Sequence, residues 1–300
     1  MIMTNIIKKT YGNFLLFLRY LISIRFIRKT HNIGYKIMTI ADTIDFISVP
    51  GNSMIRFGDG EIDLINGVGI ANYQNANEEL AEKLEKAAFF NDKKMLICFP
   101  DSLVTLNDKK NKTKRHWAYS FRIHFNTYQR LFRPNYIYGN SFVSRPYIVY
   151  KDATNVDKYF FSLINIFSGR DVAIIEGEYS RSGVGNDLFS GAKSIKRILC
   201  PSKNAFDKYY KILDAALTLS KDTLILLALG PTAKPLGVEL FNNGYWVLDI
   251  GHIDSEYEWF LRKTSHKISI RTKHTAECSD DKIPECKDPG YLRSIFKIIT

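Results

Sequence analysis

The sequence predicts an α/β fold: a Rossmann-like, mostly parallel sheet with helices on both faces, preceded by a basic amphipathic helix. Three observations support this fold class. A chain of 300 residues, 45% hydrophobic and 24% charged, is long and apolar enough to bury one large core. After Gly51, short β-rich apolar runs alternate with longer stretches of helical periodicity. Polar segments containing glycine follow several of these runs, as expected at the sheet edge where ligands bind.

The N-terminal segment contains an apolar run, residues 13–27, that is predicted to be helical. Arg19 and Arg25 interrupt this run, so it is shorter than the ~20 residues that a membrane-spanning helix needs. A helical wheel leaves a wide apolar face between two polar strips. This pattern is typical of a helix at an anionic membrane surface, here through residues 8–29, and equally of a helix packed on protein. Both partners stay open.

Charge is distributed unevenly along the chain. The net charge is +11, and the segment before Asp42 holds seven basic residues and no acid: Lys8, Lys9, Arg19, Arg25, Arg28, Lys29 and Lys36. Because the rest of the chain is only mildly basic, nucleic-acid binding is not predicted. Four scattered cysteines and a poor match to a secretory signal predict a cytoplasmic protein, in peripheral contact with the inner face of the cell membrane if the helix binds lipid.

The body of the chain is predicted to be one domain, residues 51–300, with residues 1–50 as a helical appendage. The clearest helix is Asn77–Phe90, since its apolar residues recur on one face, and Ala205–Leu219 is a second. A third helix is predicted to end near Asn243. Five apolar runs are predicted as strands: Ser53–Phe57, Met95–Phe99, Asp171–Ile175, Thr223–Leu229 and Tyr245–Ile250.

Two acids follow the first predicted strand, in the stretch Gly58-Asp59-Gly60-Glu61. Two carboxylates separated by one glycine can turn to the same side of the backbone, and Mg²⁺ and Mn²⁺ prefer oxygen ligands of this kind. The alternative is a polar turn in which Glu61 lies near a helix start.

A long polar loop follows the third predicted strand. Arg181 is a candidate to neutralise a phosphate, and Glu178 is a candidate to accept a proton from a hydroxyl group. Asn186 and Asp187 are candidates to bind a sugar or a base. The loop matches neither the P-loop nor the dinucleotide fingerprint, and the alternative is a generic flexible loop. Further along, Lys273 begins a tail that is interpreted as a lid or an exposed segment.

The fourth and fifth predicted strands form the strongest unit. Gly230, Pro231 and Thr232 begin a helix, where free amides and a hydroxyl commonly meet phosphate. Ordinary helix capping is the alternative. His252 follows the fifth strand and is a candidate to complete a metal shell with Asp59 and Glu61, although a lone histidine is more often structural.

Four ordered motifs carry a resemblance to a known family. They are Arg56-Phe-Gly-Asp-Gly-Glu61, the loop from Glu176 to Phe189, Leu229-Gly-Pro-Thr-Ala233, and the stretch from Asp249 to Phe260. Together they resemble the GT-D type glycosyltransferases, also called domain of unknown function 1792, from about Ser53 to about Glu277.

The resemblance implies a Rossmann-like enzyme that uses a nucleotide sugar, typically UDP-glucose, with Mn²⁺ or Mg²⁺ at an acid-x-acid triplet. It places Asp59 and Glu61 at the metal, and Gly230, Pro231 and Thr232 beside the diphosphate. In bacteria, such enzymes build glycans on surface adhesins or capsule-type polysaccharides. Residues 1 to about 50 lie outside the resemblance.

The sequence therefore predicts a metal-dependent glycosyltransferase that moves a sugar from a UDP-sugar to a glycan or glycoprotein acceptor. A departing diphosphate needs its charge neutralised by a metal and helix-start amides. Arg56, Gly58 and Arg145 are further candidates to contact the donor. Three acids are unranked candidates for the base: Asp254, Glu256 and Glu178. The alternatives are a metal-dependent phosphohydrolase and a non-catalytic membrane-surface module.

Overall fold

A computed structural model describes residues 18–28, 34–71, 73–275, 278 and 283–300. Within these residues nine strands form one parallel sheet, in the order β1-β4-β3-β2-β8-β7-β5-β6-β9. The predicted mostly parallel sheet is confirmed. The strands are β1 (Lys36–Ile37), β2 (Ser53–Arg56), β3 (Met95–Phe99), β4 (Ile137–Asn140), β5 (Asp171–Gly177), β6 (Ser194–Cys200), β7 (Leu224–Ala228), β8 (Trp246–Asp249) and β9 (Ile295–Ile298).

Helices connect most of the strands, as parallel pairing requires. Asn77 begins α4 by accepting a hydrogen bond from the Leu80 amide at 2.9 Å, close to its predicted start. The helices are α1 (residues 18–28), α2 (Ile40–Ser48), α3 (Asp59–Ile65), α4 (Glu78–Ala88), α5 (Asn111–Ile123), α6 (Phe125–Leu131), α7 (Val156–Phe167), α8 (Tyr209–Leu217), α9 (Ala233–Asn242), α10 (Ile253–Leu261) and α11 (Pro289–Ser294).

The centre of the sheet positions the candidate site. β2 and β8 are neighbours, with Met54 opposite Leu248, and the chain runs from β2 to β3 on one side and reaches β8 from β7 on the other. In open parallel sheets, ligands bind beyond the carboxyl ends of the strands where the connections diverge in this way. Residues just after β2, β7 and β8 therefore meet at one edge.

Four strands were not predicted from the sequence: β1, β4, β6 and β9. The first half of β6 is largely exposed and contains Lys196, so its sequence lacks the apolar run that identified the buried strands. β4 has only four residues, Ile-Tyr-Gly-Asn, of which the last two are typical of turns. Short strands at the periphery thus carry a weaker hydrophobic signal than β3 or β7.

The residues before Gly51 are packed into the domain more closely than predicted. β1 pairs with β4, and α2 contributes Ile44 and Ile47 to the hydrophobic core. Residues 36–48 thus belong with the domain, and the boundary expected at residue 50 cuts through packed structure. The predicted amphipathic helix is present as α1, whose described part begins at Leu18.

Candidate active site

A buried ion pair forms the base of the site. Arg56, at the end of β2, donates from Nη2 to Asp249 Oδ1 at 2.8 Å and from Nε to the Asp249 carbonyl at 2.6 Å. Its Nη1 donates to Ser144 Oγ at 2.5 Å. A Cβ on Gly251 would lie 1.9 Å from Arg56 Nη2, so a glycine with φ +44° is required there. Arg56, predicted to contact the donor, is instead engaged beneath the site.

Lys234, on the first turn of α9, connects the two predicted halves of the site. Its Nζ lies 2.8 Å from Glu61 Oε1, 3.2 Å from Asp249 Oδ2 and 2.9 Å from the Gly230 carbonyl. Glu61 Oε2 accepts a hydrogen bond from the Gly58 amide at 2.7 Å, which caps α3. The acid-Gly-acid segment is thus adjacent to the Gly230 turn, as the sequence predicts, and Gly58 contributes its backbone amide.

Asp59 lies on the first turn of α3 and pairs with a histidine that the sequence did not indicate. His116 Nε2, on α5, is 2.8 Å from Asp59 Oδ2, and about a third of the Asp59 side chain is exposed. Burial raises the pKa of Asp59, but the hydrogen bond and charge of His116, with the charge of Arg145, outweigh burial and lower it. Asp59 is therefore a carboxylate at neutral pH.

Positive charges surround His252, the residue before α10. Its pKa lies well below the ordinary value because of burial and the charges of Arg145, Arg56, Lys267 and Lys234. His252 is thus neutral in an electropositive part of the site. This environment favours an anion.

Arg145 is the cation that faces the acids. The charges of Glu256, Asp59 and Glu61 all act on it, although burial is the larger influence and lowers the pKa of Arg145 from its usual value. An arginine still stays protonated in such a setting. Lys267, from the segment after α10, is near enough to Arg145 and Glu256 for their charges to affect its own pKa. Arg145 therefore lies with the acids and Lys267 lies near it, while a contact of Arg145 with the donor stays a prediction.

The Gly230 turn is compact and contains an unsatisfied hydroxyl. Pro231 and Thr232 are buried, and Thr232 Oγ1 has no hydrogen-bond partner within the described structure. Gly230 has φ +52°, and a Cβ there would lie 2.4 Å from the hydroxyl of Tyr73, which covers the turn. The Thr232 side chain does not cap α9, which disfavours the capping alternative.

The residues present fit a divalent cation only in part. Asp59 and Glu61 supply the hard oxygen donors that Mg²⁺ and Mn²⁺ take. In the part of the chain that the structure describes, no three histidine, cysteine, aspartate or glutamate side chains are grouped to hold a metal. His252 is neutral, the form in which an imidazole can ligate a metal, but it lies among four cations, and its place in the metal shell stays a prediction.

Asp254 anchors the loop that follows β5. It accepts hydrogen bonds from the Gly183 amide at 2.7 Å and Asn186 Nδ2 at 2.8 Å, and from Lys273 Nζ at 2.8 and 2.9 Å. Asn186 and Lys273 also donate to Glu258. Lys273 is 2% exposed, so the expectation of an exposed segment is wrong at this residue. Asp254 and Asn186 hold the loop and the tail against α10.

The other two candidate bases differ in exposure. Glu256 is fully buried, and its Oε2 accepts a hydrogen bond from the Ile148 amide at 3.1 Å. Burial raises the pKa of Glu256, and Arg145 opposes this in part. Glu178, just after β5, is exposed. Glu178 thus has the accessible carboxylate among the three.

The remaining predicted loop residues contact neighbouring elements. Arg181 has φ +47° and donates from Nη1 to the Thr272 carbonyl at 2.8 Å. Asp187 is exposed and accepts a hydrogen bond from the Tyr257 hydroxyl at 2.7 Å. These contacts attach the loop to the tail and α10, and they do not join it to the Asp59 and Glu61 group.

Sequence reasoning missed Lys234, Lys267 and His116. Lys234 had a signal, since it follows Gly230 by four residues and a helix places such residues one turn apart. His116 and Lys267 come from α5 and from the segment after α10, far along the chain from their partners. Only the tertiary fold brings them in.

Comparison with known proteins identifies relatives over most of the chain. Residues 54–278 match the family described as the glycosyltransferase GT-D fold. A curated protein of Streptococcus gordonii, "Probable glycosyl transferase Gly", is 44% identical over 253 residues, which is 84% of this chain and 37% of that protein. "Glycosyltransferase GlyD" of Streptococcus pneumoniae serotype 4 is 40% identical over 260 residues, 85% of this chain and 31% of that protein. The chain thus spans about a third of the length of these relatives.

Two solved structures are also similar. A structure described as a new glycosyltransferase (DUF1792) from Streptococcus sanguinis has a TM-score of 0.82 and 39% identity, covering 89% of this chain and all of its own. Another, described as domain of unknown function 1792 with a distinct glycosyltransferase fold, has a TM-score of 0.84 and 36% identity, covering 94% of this chain and all of its own.

Proposed function

Since the chain belongs to the GT-D family of glycosyltransferases, we propose that it transfers glucose from UDP-glucose to a glycan acceptor with the help of Mn²⁺ or Mg²⁺. The observation that carries this proposal is the contact of Lys234 with both Glu61 and the Gly230 carbonyl. It brings the acidic segment and the phosphate-type turn to one edge of the sheet. Binding of a nucleoside diphosphate sugar needs a cation close to the hydrogen-bond donors that hold its diphosphate.

Protein cations would share with the metal in neutralising the charge of the departing UDP. Arg145 faces the acids, and Lys267 and Lys234 lie in the same electropositive region as the neutral His252. The amides that begin α9 and the unpartnered Thr232 hydroxyl supply further donors. When bound, a divalent cation at Asp59 and Glu61 would stabilise the developing charge as a Lewis acid.

An inverting reaction also needs a base for the acceptor hydroxyl. Asp254 is held by four hydrogen bonds from Gly183, Asn186 and Lys273, and Glu256 is buried. Exposure therefore favours Glu178 as the first candidate to test.

Binding of UDP tests the donor and the metal together. We expect UDP to raise the melting temperature only when Mn²⁺ or Mg²⁺ is present, because ligands that bind the native state stabilise it. Asp59→Asn should reduce this shift, while Asp171→Asn, at the opposite end of the sheet, should not. Equal stabilisation with and without the metal would contradict the metal requirement.

UDP-glucose turnover should release UDP only with an acceptor, and acceptor-independent release of inorganic phosphate would instead indicate a phosphohydrolase.

Donor affinity should depend on the charge of Lys267. Burial, followed by the charge of Arg145, lowers the pKa of Lys267 to about 8, so its cation is present below that pH and lost above it. We expect kcat/KM for the donor to fall about tenfold between pH 7 and 9, since one charged contact is worth ~1.5–3 kcal/mol. Lys267→Arg should keep the positive charge, so its kcat/KM should change little between pH 7 and 9. A parallel fall in both proteins would exclude Lys267 as the titrating group.

The acceptor is proposed to be a bacterial surface glycoprotein or polysaccharide, glycosylated in the cytoplasm.

Within the described residues, none of the helices combines the length and hydropathy that crossing a membrane demands. α1 packs Ile27 into the core and exposes Leu21 and Ile22 together with Arg25 and Arg28. Apolar and cationic side chains on one face fit the inner surface of an anionic membrane. Leu21→Glu with Ile22→Glu should abolish sedimentation of the full chain with anionic liposomes; binding that persists would overturn this contact.

A further inference from the structure

Lys234 contacts Glu61, one of the two acids that are proposed to hold the metal. Its ammonium has three protons and three acceptors: Glu61 Oε1 at 2.8 Å, Asp249 Oδ2 at 3.2 Å and the Gly230 carbonyl at 2.9 Å. Only 4% of Lys234 is exposed. Lys234 is therefore a fully coordinated cation inside the site.

The charges around Lys234 balance without a metal. Glu61 and Asp249 carry two negative charges, and Lys234 and Arg56 carry two positive charges within ion-pair distance of them. Of the two Glu61 oxygens, Oε2 accepts a hydrogen bond from the Gly58 amide and Oε1 contacts the Lys234 ammonium, so a divalent cation that binds Oε1 would meet that ammonium. A divalent ion at that oxygen would repel the ammonium at close range.

We propose that Lys234 competes with the divalent cation for Glu61, so that metal binding requires the Lys234 ammonium to leave Oε1. The proposal rests on the proposed function, since it concerns the cation of the donor site. The Arg56 guanidinium is fixed by four hydrogen bonds and cannot take this role, whereas lysine is a point charge on a flexible four-carbon stem. The Gly230 carbonyl and Asp249 would remain as acceptors for the ammonium after it leaves Glu61. Lys234 would then regulate when the acid pair accepts a metal.

Titration with Mn²⁺ alone, followed by the paramagnetic resonance signal of the free ion, tests the competition without a donor or turnover. Removal of the competing charge should tighten binding, so we expect Lys234→Met and Lys234→Gln to bind Mn²⁺ at least about tenfold more tightly than the wild type. Lys234→Gln keeps hydrogen-bonding capacity in case the methionine variant does not fold, and melting curves check both. Glu61→Gln added to either variant should cancel the gain.

Lys193→Met is the matched control, because Lys193 pairs with Asp171 at 2.9 Å on the exposed, opposite end of the sheet. It should bind Mn²⁺ like the wild type. If the wild type binds Mn²⁺ and folded Lys234 variants bind it equally or more weakly, the competition is overturned while the metal requirement stands. If neither the wild type nor the Lys234 variants bind Mn²⁺, both proposals fail.

Discussion

Arg145→Met is expected to lower kcat/KM for glucosyl transfer about 10²–10³-fold, the usual effect of removing one preorganised charge donor from a reacting group. Arg145 is the cation on which the charges of Asp59, Glu61 and Glu256 converge, and it lowers the pKa of the neighbouring His252. Loss of its charge should leave the departing diphosphate poorly neutralised. Steady-state kinetics with UDP-glucose and a glycan acceptor measure the effect.

Arg145→Lys separates charge from geometry. A lysine keeps the charge but loses the planar fork that binds phosphate oxygens in pairs, so it should recover only part of the activity. The pKa of Glu256, which burial raises and Arg145 holds down, should rise further in Arg145→Met. Melting temperatures should show that both variants are folded. Near-wild-type kcat/KM in folded Arg145→Met would remove Arg145 from the donor site.

Buried strands and glycine-containing strand ends were predictable because they depend on residues that are consecutive in the sequence. β3 was predicted with its observed bounds, since five consecutive buried residues leave an uninterrupted apolar run. The approach of Glu61 and the Gly230 turn, which Lys234 bridges, followed from a general property of parallel sheets, in which carboxyl ends share an edge. The fold and the approach of these two segments could therefore be predicted from the sequence.

The partners of each site residue could not be predicted in the same way. Arg56 was expected to contact the phosphate groups of the donor. Instead, it ends a fully buried strand, and the absence of a side chain at Gly251 lets its guanidinium reach Asp249. Asp254 looked like a base, but Lys273, nineteen residues later, folds back onto it. These pairings depend on which segments the tertiary structure brings together, and a strand or helix pattern carries no information on that.

Arg56→Met is expected to destabilise the protein by about 3–5 kcal/mol, the usual cost of leaving one partner of a buried ion pair uncompensated. Both side chains are almost entirely buried, and Asp249 also accepts a hydrogen bond from the Arg56 amide at 3.1 Å. For a chain of 300 residues the melting temperature should fall by about 5–8 °C. Lys86→Met, which breaks an exposed pair with Glu82, should change stability by less than about 0.5 kcal/mol.

The difference between wild type and Arg56→Met should depend on pH. Burial raises the pKa of Asp249, but Arg56 and Lys234 outweigh burial and lower it below the ordinary value. A carboxyl with a depressed folded-state pKa stabilises the native protein above its unfolded pKa of about 3.9, and this stabilisation is lost as the pH falls through the folded pKa. Denaturant unfolding should therefore show the full difference in the free energy of unfolding between wild type and Arg56→Met at pH 7, and this difference should become smaller below about pH 4.

A destabilisation under about 1 kcal/mol at pH 7 would mean that Asp249 does not depend on Arg56. In that case Lys234 would be its main counter-ion, and Lys234→Met would become the more destabilising change. The two variants thus test one arrangement from opposite sides. If Arg56 stabilises Asp249 as its distances indicate, it also fixes one of the three acceptors of Lys234, so the proposed competition at Glu61 should be sensitive to the same ion pair.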